Sequence, residues 1–277
     1  MHLGVTIFAT DRSMSPVELA REAEARGFHS LYVPEHTHIP VSRRTPPPTG
    51  DAVLAEEYKR TLDPWIALAA AAGVTSRIRL GTGIALVAQH DPIALAKQIA
   101  TLDQLSAGRV VLGIGYGWNE DEMEDHGVDP RRRRAHVREA MLAMEALWSN
   151  EVACFEGEFV RFAPSWQWPK PVQRPRPPVL LGGAPGPKLF EHLAEYGDGW
   201  IPIGGAGVRE ALPALRDALA KRGRDPASLH VVPMGIQPTR EKLDYYASVG
   251  VTEAVLRLPS APRDDVMPLL DAYARFV

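Results

Sequence analysis

The feature that most constrains the fold is a regular alternation of short apolar runs, rich in β-branched residues, with segments of helical periodicity. Continuous apolar runs are typical of parallel strands that are buried on both faces of a sheet. Strand followed by helix, eight times over, predicts an α/β fold, a (β/α)8 TIM barrel with insertions. The eight predicted strands cover residues 3–8, 30–33, 78–84, 110–114, 179–181, 200–203, 230–236 and 254–258.

The helices carry explicit start signals. Ser15, Pro16 and Glu18 have the spacing of a capping box with proline at the first helical position. Asp91 followed by Pro92 opens a later helix, and a last helix is predicted over residues 264–277. The apolar stripes that predict buried helix faces are Leu95, Ile99 and Leu102, then Val137, Met141, Met144 and Trp148, then Leu212, Leu215 and Leu219.

The composition excludes several function classes. A single cysteine, Cys154, excludes an intramolecular disulfide framework and a multi-cysteine zinc site, which favours a cytoplasmic location. With 31 basic and 34 acidic residues the formal net charge is −3, whereas a nucleic-acid binder is usually strongly basic. No apolar run reaches the roughly 20 residues that span a bilayer. A signal peptide is not expected, because residues 1–8 lead into Asp11, Arg12 and Ser13 without a basic start or a cleavage-type pattern.

Prolines mark two irregular insertions in an otherwise regular chain. Five of the 25 prolines lie within residues 34–48, and eight lie within residues 164–187. We therefore predict a single barrel domain over residues 1–277 with insertions at about 37–61 and 150–177. A loop as long as 37–61 is usually functional or disordered, and it follows the second strand, so we interpret it as a candidate lid.

In such a barrel the active site lies at the carboxyl ends of the strands. The second strand is followed by Glu35, His36 and His38, a cluster that suggests a metal site. The other strand ends offer no further ligands, so no metal is predicted. His36 is interpreted as a hydrogen-bond donor or proton carrier, and the alternative is a packed histidine paired with Glu35.

Three further strand ends are rich in glycine. Residues 81–84 and 113–118 read GTGI and GIGYGW, and both permit a close backbone approach to a flat ligand. The fifth predicted strand ends in residues 182–188, GGAPGPK, and leads directly into a helix. Backbone donors at that helix start, with Lys188 in its first turn, are typical of a phosphate site, and the alternative is a plain turn. The basic run 131–134 is expected to pair with the acidic residues of 120–125 rather than with RNA.

Three stretches together resemble the bacterial luciferase-like monooxygenase superfamily. They are HDPIALAKQIATLDQLSAGR at 90–109, LGIGYGWNE at 112–120 and GDGW at 197–200. Within that superfamily the chain looks most like oxidoreductases that depend on the deazaflavin coenzyme F420, whose close relatives use FMN. The resemblance implies hydride transfer between coenzyme F420 and a small organic substrate.

The resemblance also implies roles for individual residues. Glu35 and His36 match the family's acid–histidine pair, in which the histidine faces the reactive ring, and Gly83–Ile84 matches the place of a non-prolyl cis peptide against that ring. The remaining implied cofactor-binding residues are Gly117, Trp118 and Asp121, which line the cofactor's side chain and the substrate pocket, and Gly183, Gly186, Pro187 and Lys188, which form the phosphate loop.

The chain departs from relatives that oxidise sugar phosphates, because Trp118 stands where those carry an acid and Pro40 where they carry tryptophan. A sugar-phosphate substrate is therefore not implied. Two other functions stay open: an FMN-dependent monooxygenase, and a non-catalytic protein that binds a flavin or deazaflavin. The expected partners are a small-molecule substrate and a second copy of the chain in a homodimer, without nucleic acid or membrane.

Overall fold

The computed structural model describes residues 1–46 and 53–277, and its strands and helices follow the predicted alternation. The strands are β1 His2–Thr6, β2 Ser30–Val33, β3 Arg79–Thr82, β4 Val110–Ile114, β5 Ala153–Glu156, β6 Arg161–Ser165, β7 Val179–Gly182, β8 Gly199–Ile201, β9 His230–Val231, β10 Met234–Ile236 and β11 Glu253–Arg257. The helices are α1 Pro16–Ala25, α2 Pro64–Ala72, α3 Pro92–Leu105, α4 Glu120–Asp125, α5 Arg133–Ser149, α6 Pro187–Tyr196, α7 Val208–Lys221, α8 Arg240–Val249 and α9 Arg263–Ala274.

The parallel strands form a ring. Their order is β10-β11-β1-β2-β3-β4-β7-β8-β9, and β9 and β10 are the two ends of the predicted strand 230–236. This strand is split at Pro233, which has no amide hydrogen to donate. Its first half pairs with β8 and its second half with β11, so the ring closes with eight strand positions. The predicted (β/α)8 barrel is confirmed.

The interior of the barrel is filled by one small apolar cluster. Ile84 packs against it at the end where the strands finish. A second, larger cluster lies between the strands and the surrounding helices. The interior side chains are Tyr32, Val111, Leu180, Ile201, Val232, Met234 and Val255.

The helix starts combine proline with an acidic cap. The side chains of Asp63 and Asp91 accept hydrogen bonds from the amides of Ile66 and Ala94, at the beginning of α2 and α3. Helix α1 begins at Pro16 as predicted, but the side chain of Ser15 makes no cap hydrogen bond, so the capping box is not formed. The predicted stripes on α3, α5 and α7 are buried, as the periodicity requires.

The two insertions have different structures. The insertion after β2 runs through residue 46 without regular structure and returns through a 3-10 helix, Glu56–Arg60, and the part of this candidate lid at 47–52 lies outside the described residues. The insertion at 150–177 contains the antiparallel hairpin β5–β6, which the sequence did not predict. The short helix α4 was not predicted either, and it positions several side chains at the mouth of the barrel.

Candidate active site

The floor of the barrel mouth is apolar and closely packed. The peptide bond between Gly83 and Ile84 is cis, at the position that the resemblance implied. A Cβ at Gly115 would lie 2.5 Å from Ile84 Cδ1, and a Cβ at Gly83 would lie 2.6 Å from Met234 Sδ. A Cβ at either position would therefore displace the neighbouring side chain. Gly83 and Ile84 directly follow β3 and form a ledge at the carboxyl ends of the strands.

His36 lies at the same end of the barrel and is held by a residue that the sequence analysis did not select. Its Nδ1 is 2.9 Å from Glu122 Oε2, and the two side chains are only 7% and 1% exposed. The alternative of a histidine paired with Glu35 is wrong, because the partner comes from helix α4. Among the described residues, the other ring nitrogen, Nε2, makes no hydrogen bond.

Glu35 is buried and both of its oxygens are engaged. Oε2 accepts from the amide of Leu86 at 2.6 Å, and Oε1 contacts Nε2 of His90 at 2.8 Å. Burial alone would lower the pKa of His90, but the hydrogen bond and charge of Glu35 outweigh it and raise that pKa. Glu35 therefore ties the segment after the cis peptide to the end of β2, and its catalytic role stays a prediction.

An aromatic cluster packs around His36. Its ring centroid is 5.5 Å from that of Tyr58 and 5.9 Å from that of Trp118, which meets it edge to face. Tyr58 also packs against Phe8 at 4.8 Å. Tyr58 belongs to the 3-10 helix of the insertion after β2, so the predicted lid contributes a ring to the surroundings of His36.

The first part of that insertion is tied to the outer face of α4. Asp121 accepts hydrogen bonds from the amide and Nε of Arg44 at 2.9 and 3.0 Å. The Arg44 amide is the largest cause of a lowered pKa at Asp121, and the guanidinium adds to it. His38 Nε2 contacts Asp125 at 3.0 Å, and Thr37 Oγ1 contacts His126 Nε2 at 2.7 Å. Asp121, predicted to line the cofactor, therefore anchors the insertion.

The expected pairing between the acidic and basic runs is largely wrong. Within the described part of the chain, Arg133 is the one member of the basic run that pairs with α4, at 4.0 Å from Glu120. Arg132 pairs with Glu158 of the hairpin insertion, and Arg134 lies over the ring of Tyr116. The acidic residues of α4 instead pair with the insertion after β2 and with His36.

The predicted phosphate loop lies at the start of α6. Helix α6 begins at Pro187, and its cap residue Gly186 offers no side-chain acceptor to the first amides. A Cβ at Gly186 would meet no atom within 4 Å, and one at Gly183 would first meet Leu189 at 3.8 Å. Lys188 is exposed, and no carboxylate in the described part of the chain pairs with it. Open space, uncapped amides and an unpaired cation fit a phosphate group.

A set of buried polar atoms beside Trp118 has no protein partner. Both side-chain atoms of Asn119 are buried without a hydrogen bond to any described residue, as are Trp118 Nε1 and Glu122 Oε1. Gly117 directly precedes them with φ +77°, a left-handed conformation that favours glycine. Flavins and deazaflavins carry several ring donors and acceptors, so Asn119 and Trp118 fit such a group.

Other features of the described chain lie away from the barrel mouth or are absent. No group of three or more His, Cys, Asp or Glu side chains in residues 1–46 and 53–277 is arranged to hold a metal. Two surface grooves, of about 320 and 370 Å³, lie between α7 and α8 and between α2 and α3, away from the mouth. Within the described ranges, no helix has the length and apolar character needed to cross a membrane.

Comparison with known proteins identifies the family. A family model described as luciferase-like monooxygenase matches residues 9–244, which is most of the chain. The chain belongs to this family. The resemblance in the three sequence stretches is thereby confirmed.

The similar proteins include an uncharacterised protein and F420-dependent dehydrogenases. An uncharacterised protein of Mycobacterium tuberculosis is 50% identical over 277 residues, covering 99% of this chain and 98% of the relative. An F420-dependent glucose-6-phosphate dehydrogenase of Kineococcus radiotolerans is 32% identical over 218 residues, which are 75% of this chain and 58% of that enzyme. An F420-dependent secondary alcohol dehydrogenase, solved with an F420–acetone adduct, superposes with a TM-score of 0.78 at 19% identity over 100% of this chain and 98% of that one.

Two residues of the site were missed by the sequence reasoning. Glu122 belongs to the acidic run that was expected to pair with residues 131–134, and no pattern in the sequence distinguishes it from its acidic neighbours. Tyr58 lies in the long insertion, which has no periodic pattern to indicate which side chain turns inward.

Proposed function

We propose that this protein is an oxidoreductase that transfers a hydride between coenzyme F420 and a small carbonyl compound or the corresponding alcohol. The observation that carries the proposal is the position of His36, which offers Nε2 at a barrel mouth floored by the Gly83–Ile84 ledge. The 32% identical F420-dependent dehydrogenase supports the choice of cofactor. The structural neighbour with the acetone adduct supports a carbonyl substrate.

Binding would divide between two parts of the mouth. The uncapped start of α6 and Lys188 would hold the cofactor's phosphate, and Gly183 and Gly186 leave room beside the backbone. Gly83 and Ile84, which directly follow β3, would support one face of the ring system, as the resemblance implies. The unpartnered side chain of Asn119 would hydrogen-bond a polar ring edge, because a buried amide without a partner costs about 1–3 kcal/mol.

When bound, the cofactor supplies the hydride, and the protein supplies orientation and a proton. In the reducing direction the substrate carbonyl carbon gains the hydride and the C=O π pair moves to oxygen. That oxygen takes a proton from Nε2 of His36, so a ketone becomes an alcohol. Trp118 and Tyr58 pack beside the imidazole, which is 7% exposed, and so would limit the access of water during this exchange.

The substrate is not expected to be a sugar phosphate, although one relative acts on glucose 6-phosphate. Trp118 stands where such relatives carry an acid, and its ring packs against His36. Together with Phe8 and Tyr58 this surface is mainly apolar and aromatic. An apolar or aromatic carbonyl compound fits it better than a sugar phosphate.

The first test is equilibrium binding of coenzyme F420 and of FMN, followed by fluorescence and absorbance. We expect F420 to bind more tightly, and Lys188→Ala to weaken its binding about tenfold, which is a loss of about 1.4 kcal/mol. Lys221→Ala in the last turn of α7, at the opposite end of the barrel from the mouth, is the matched control and should bind like the wild type. Saturable binding of FMN without binding of F420 would refute the choice of cofactor.

The second test is turnover of reduced F420 with a panel of ketones, enones and quinones. We expect His36→Ala to lower kcat by about 10²–10⁴-fold while changing cofactor affinity little, because the imidazole acts on the substrate. Equal turnover in the variant would refute the role of His36. Tight cofactor binding without hydride exchange to any acceptor would instead support a non-catalytic binding protein.

An FMN-dependent monooxygenase is the second candidate, and the description of the family as monooxygenases favours it. The same barrel mouth would then have to admit oxygen beside the reduced flavin. Oxygen consumption with FMN and a reductant, with incorporation of labelled oxygen into a product, would distinguish it from hydride transfer.

A further inference from the structure

The partner of His36 is a carboxylate that is shielded from water. Glu122 lies in the middle of α4, and its Oε2 is 2.9 Å from His36 Nδ1. The Glu122 side chain is 1% exposed, whereas the neighbouring Glu124 and Asp125 on the same helix are 49% and 61% exposed. One acid of this helix is thus directed inward to the imidazole.

This contact determines which ring nitrogen is available for chemistry. A carboxylate only accepts hydrogen bonds, so Nδ1 carries a hydrogen whenever the pair is formed. In the neutral imidazole the lone pair is then on Nε2, and in the imidazolium Nε2 carries the second hydrogen. Without such a partner a neutral imidazole exchanges between both tautomers.

We propose that Glu122 is a positioning residue that holds His36 as the Nδ1–H tautomer and offsets the charge of its imidazolium, so that Nε2 exchanges the proton with the substrate. The proposal rests on the proposed function for the identity of the reaction. It adds a residue that no family resemblance had indicated. As Nε2 gives its proton to the substrate oxygen, the ring returns to the neutral Nδ1–H form without any other bond being broken.

A purely structural role explains the pair less well. The insertion after β2 is already fastened to α4 by Arg44 with Asp121 and by His38 with Asp125. Removing a hydrogen-bonded carboxylate and imidazole from water is unfavourable, and a well-packed apolar pair of similar volume is often as stable or more so. Burial of Glu122 is therefore better explained by its effect on the imidazole than by stability.

The aromatic cluster further restricts the orientation of the His36 ring. The rings of Tyr58 and Trp118 lie 5.5 and 5.9 Å from the imidazole and limit its rotation. The carboxylate then selects the tautomer within that orientation. In a serine protease triad, where a carboxylate orients a histidine in the same way, loss of the charge lowers kcat by about 10⁴-fold.

The direct test uses the protein without any cofactor. Nitrogen-15 spectra of histidine-labelled protein report which ring nitrogen is protonated, and His36→Gln assigns the signals. We expect the Nδ1–H tautomer in the wild type and a shift toward Nε2–H in Glu122→Ala. Glu120→Ala on the exposed side of the same helix is the matched control and should leave the signals unchanged. An Nε2–H tautomer in the wild type would overturn the proposal.

The kinetic test uses a variant that keeps the size of the side chain. Glu122→Gln is expected to lower kcat by about 10²-fold or more, while KM and the cofactor Kd stay within about threefold, because the charge acts only during proton transfer. Formate added to Glu122→Ala should restore part of kcat, and it should not restore His36→Ala. A proportional rise of KM and Kd with unchanged kcat would mean a merely structural role and would overturn the proposal.

The two tests separate this proposal from the proposed function. If F420 does not bind but the tautomer depends on Glu122, the choice of cofactor fails and the positioning role stands. If F420 supports turnover but Glu122→Gln has wild-type kcat, the positioning role fails and the proposed function stands. Circular dichroism and thermal melting of each variant verify that the fold is retained.

Discussion

A buried carboxylate at the amino end of the barrel makes the stability of this protein depend on pH. Glu253, the first residue of β11, accepts hydrogen bonds from the hydroxyls of Ser30 and Tyr32, the latter at 3.4 Å. Gly4 of the neighbouring strand lies so close that a Cβ there would be 2.6 Å from Glu253 Oε1. Burial raises the pKa of Glu253 from 4.5 to about 6, although the two hydroxyls and the charge of Arg79 act in the opposite direction.

The direction and size of the pH effect follow from the difference between the pKa of Glu253 in the folded protein and in the unfolded chain. The folded protein holds the proton more tightly than the unfolded chain, so the free energy of unfolding falls as pH rises from about 4.5 to about 6. A difference of about 1.5 pKa units corresponds to about 2 kcal/mol at 1.36 kcal/mol per unit. Above that window the ionised carboxylate remains buried, so the loss of stability persists at neutral pH.

Glu253→Gln removes the titration and keeps the shape. Urea denaturation of wild type and variant between about pH 4 and about pH 8 should give curves that diverge by about 2 kcal/mol, with the variant more stable at neutral pH. Glu210→Gln on the exposed face of α7 is the control and should follow the wild type. Parallel curves for wild type and Glu253→Gln would refute the reasoning.

Three further substitutions test the packing around the mouth and the barrel. Glu35→Ala leaves the ring of His90 and the amide of Leu86 without their buried partner, so it should reduce the free energy of unfolding measured in urea by about 3 kcal/mol. A loss below about 1 kcal/mol would contradict the anchoring role. Gly115→Ala should displace Ile84 and lower stability by about 1–3 kcal/mol together with cofactor affinity, and an unchanged melting temperature would speak against the close packing of the ledge. Arg109→Lys should lower the free energy of unfolding by about 2–4 kcal/mol in thermal denaturation, because lysine cannot replace a guanidinium that donates to four backbone carbonyls. A variant as stable as the wild type would mean that these hydrogen bonds contribute little.

The barrel was predictable because its pattern is local and repeated. Each strand is a short apolar run, and the prolines at the helix starts separate it from the next helix. The exception is the seventh strand, where Pro233 removes one amide from the ladder and divides the segment into two. The β5–β6 hairpin lies in a proline-rich insertion, and its residues are largely exposed, so no alternation of buried positions indicated it.

The candidate site was predictable only where a strand ends. His36 and the glycines of the mouth follow apolar runs directly, so the barrel rule locates them without any tertiary contact. The barrel rule does not predict which residue each of these side chains contacts. Glu35 was expected beside His36, but it pairs with His90, because adjacent residues after a strand point in different directions.

The six-residue helix α4 joins two kinds of electrostatic contact. Its outward acids hold the insertion after β2 through Arg44 and His38, where solvent surrounds the ions, and its inward Glu122 holds His36 out of water. Mobile ions screen exposed pairs far more strongly than buried ones. Moderate salt should therefore weaken the attachment of residues 37–46 to α4 while leaving the imidazole oriented. The contacts on opposite faces of one turn and a half of helix can thus be altered independently, by evolution or by design.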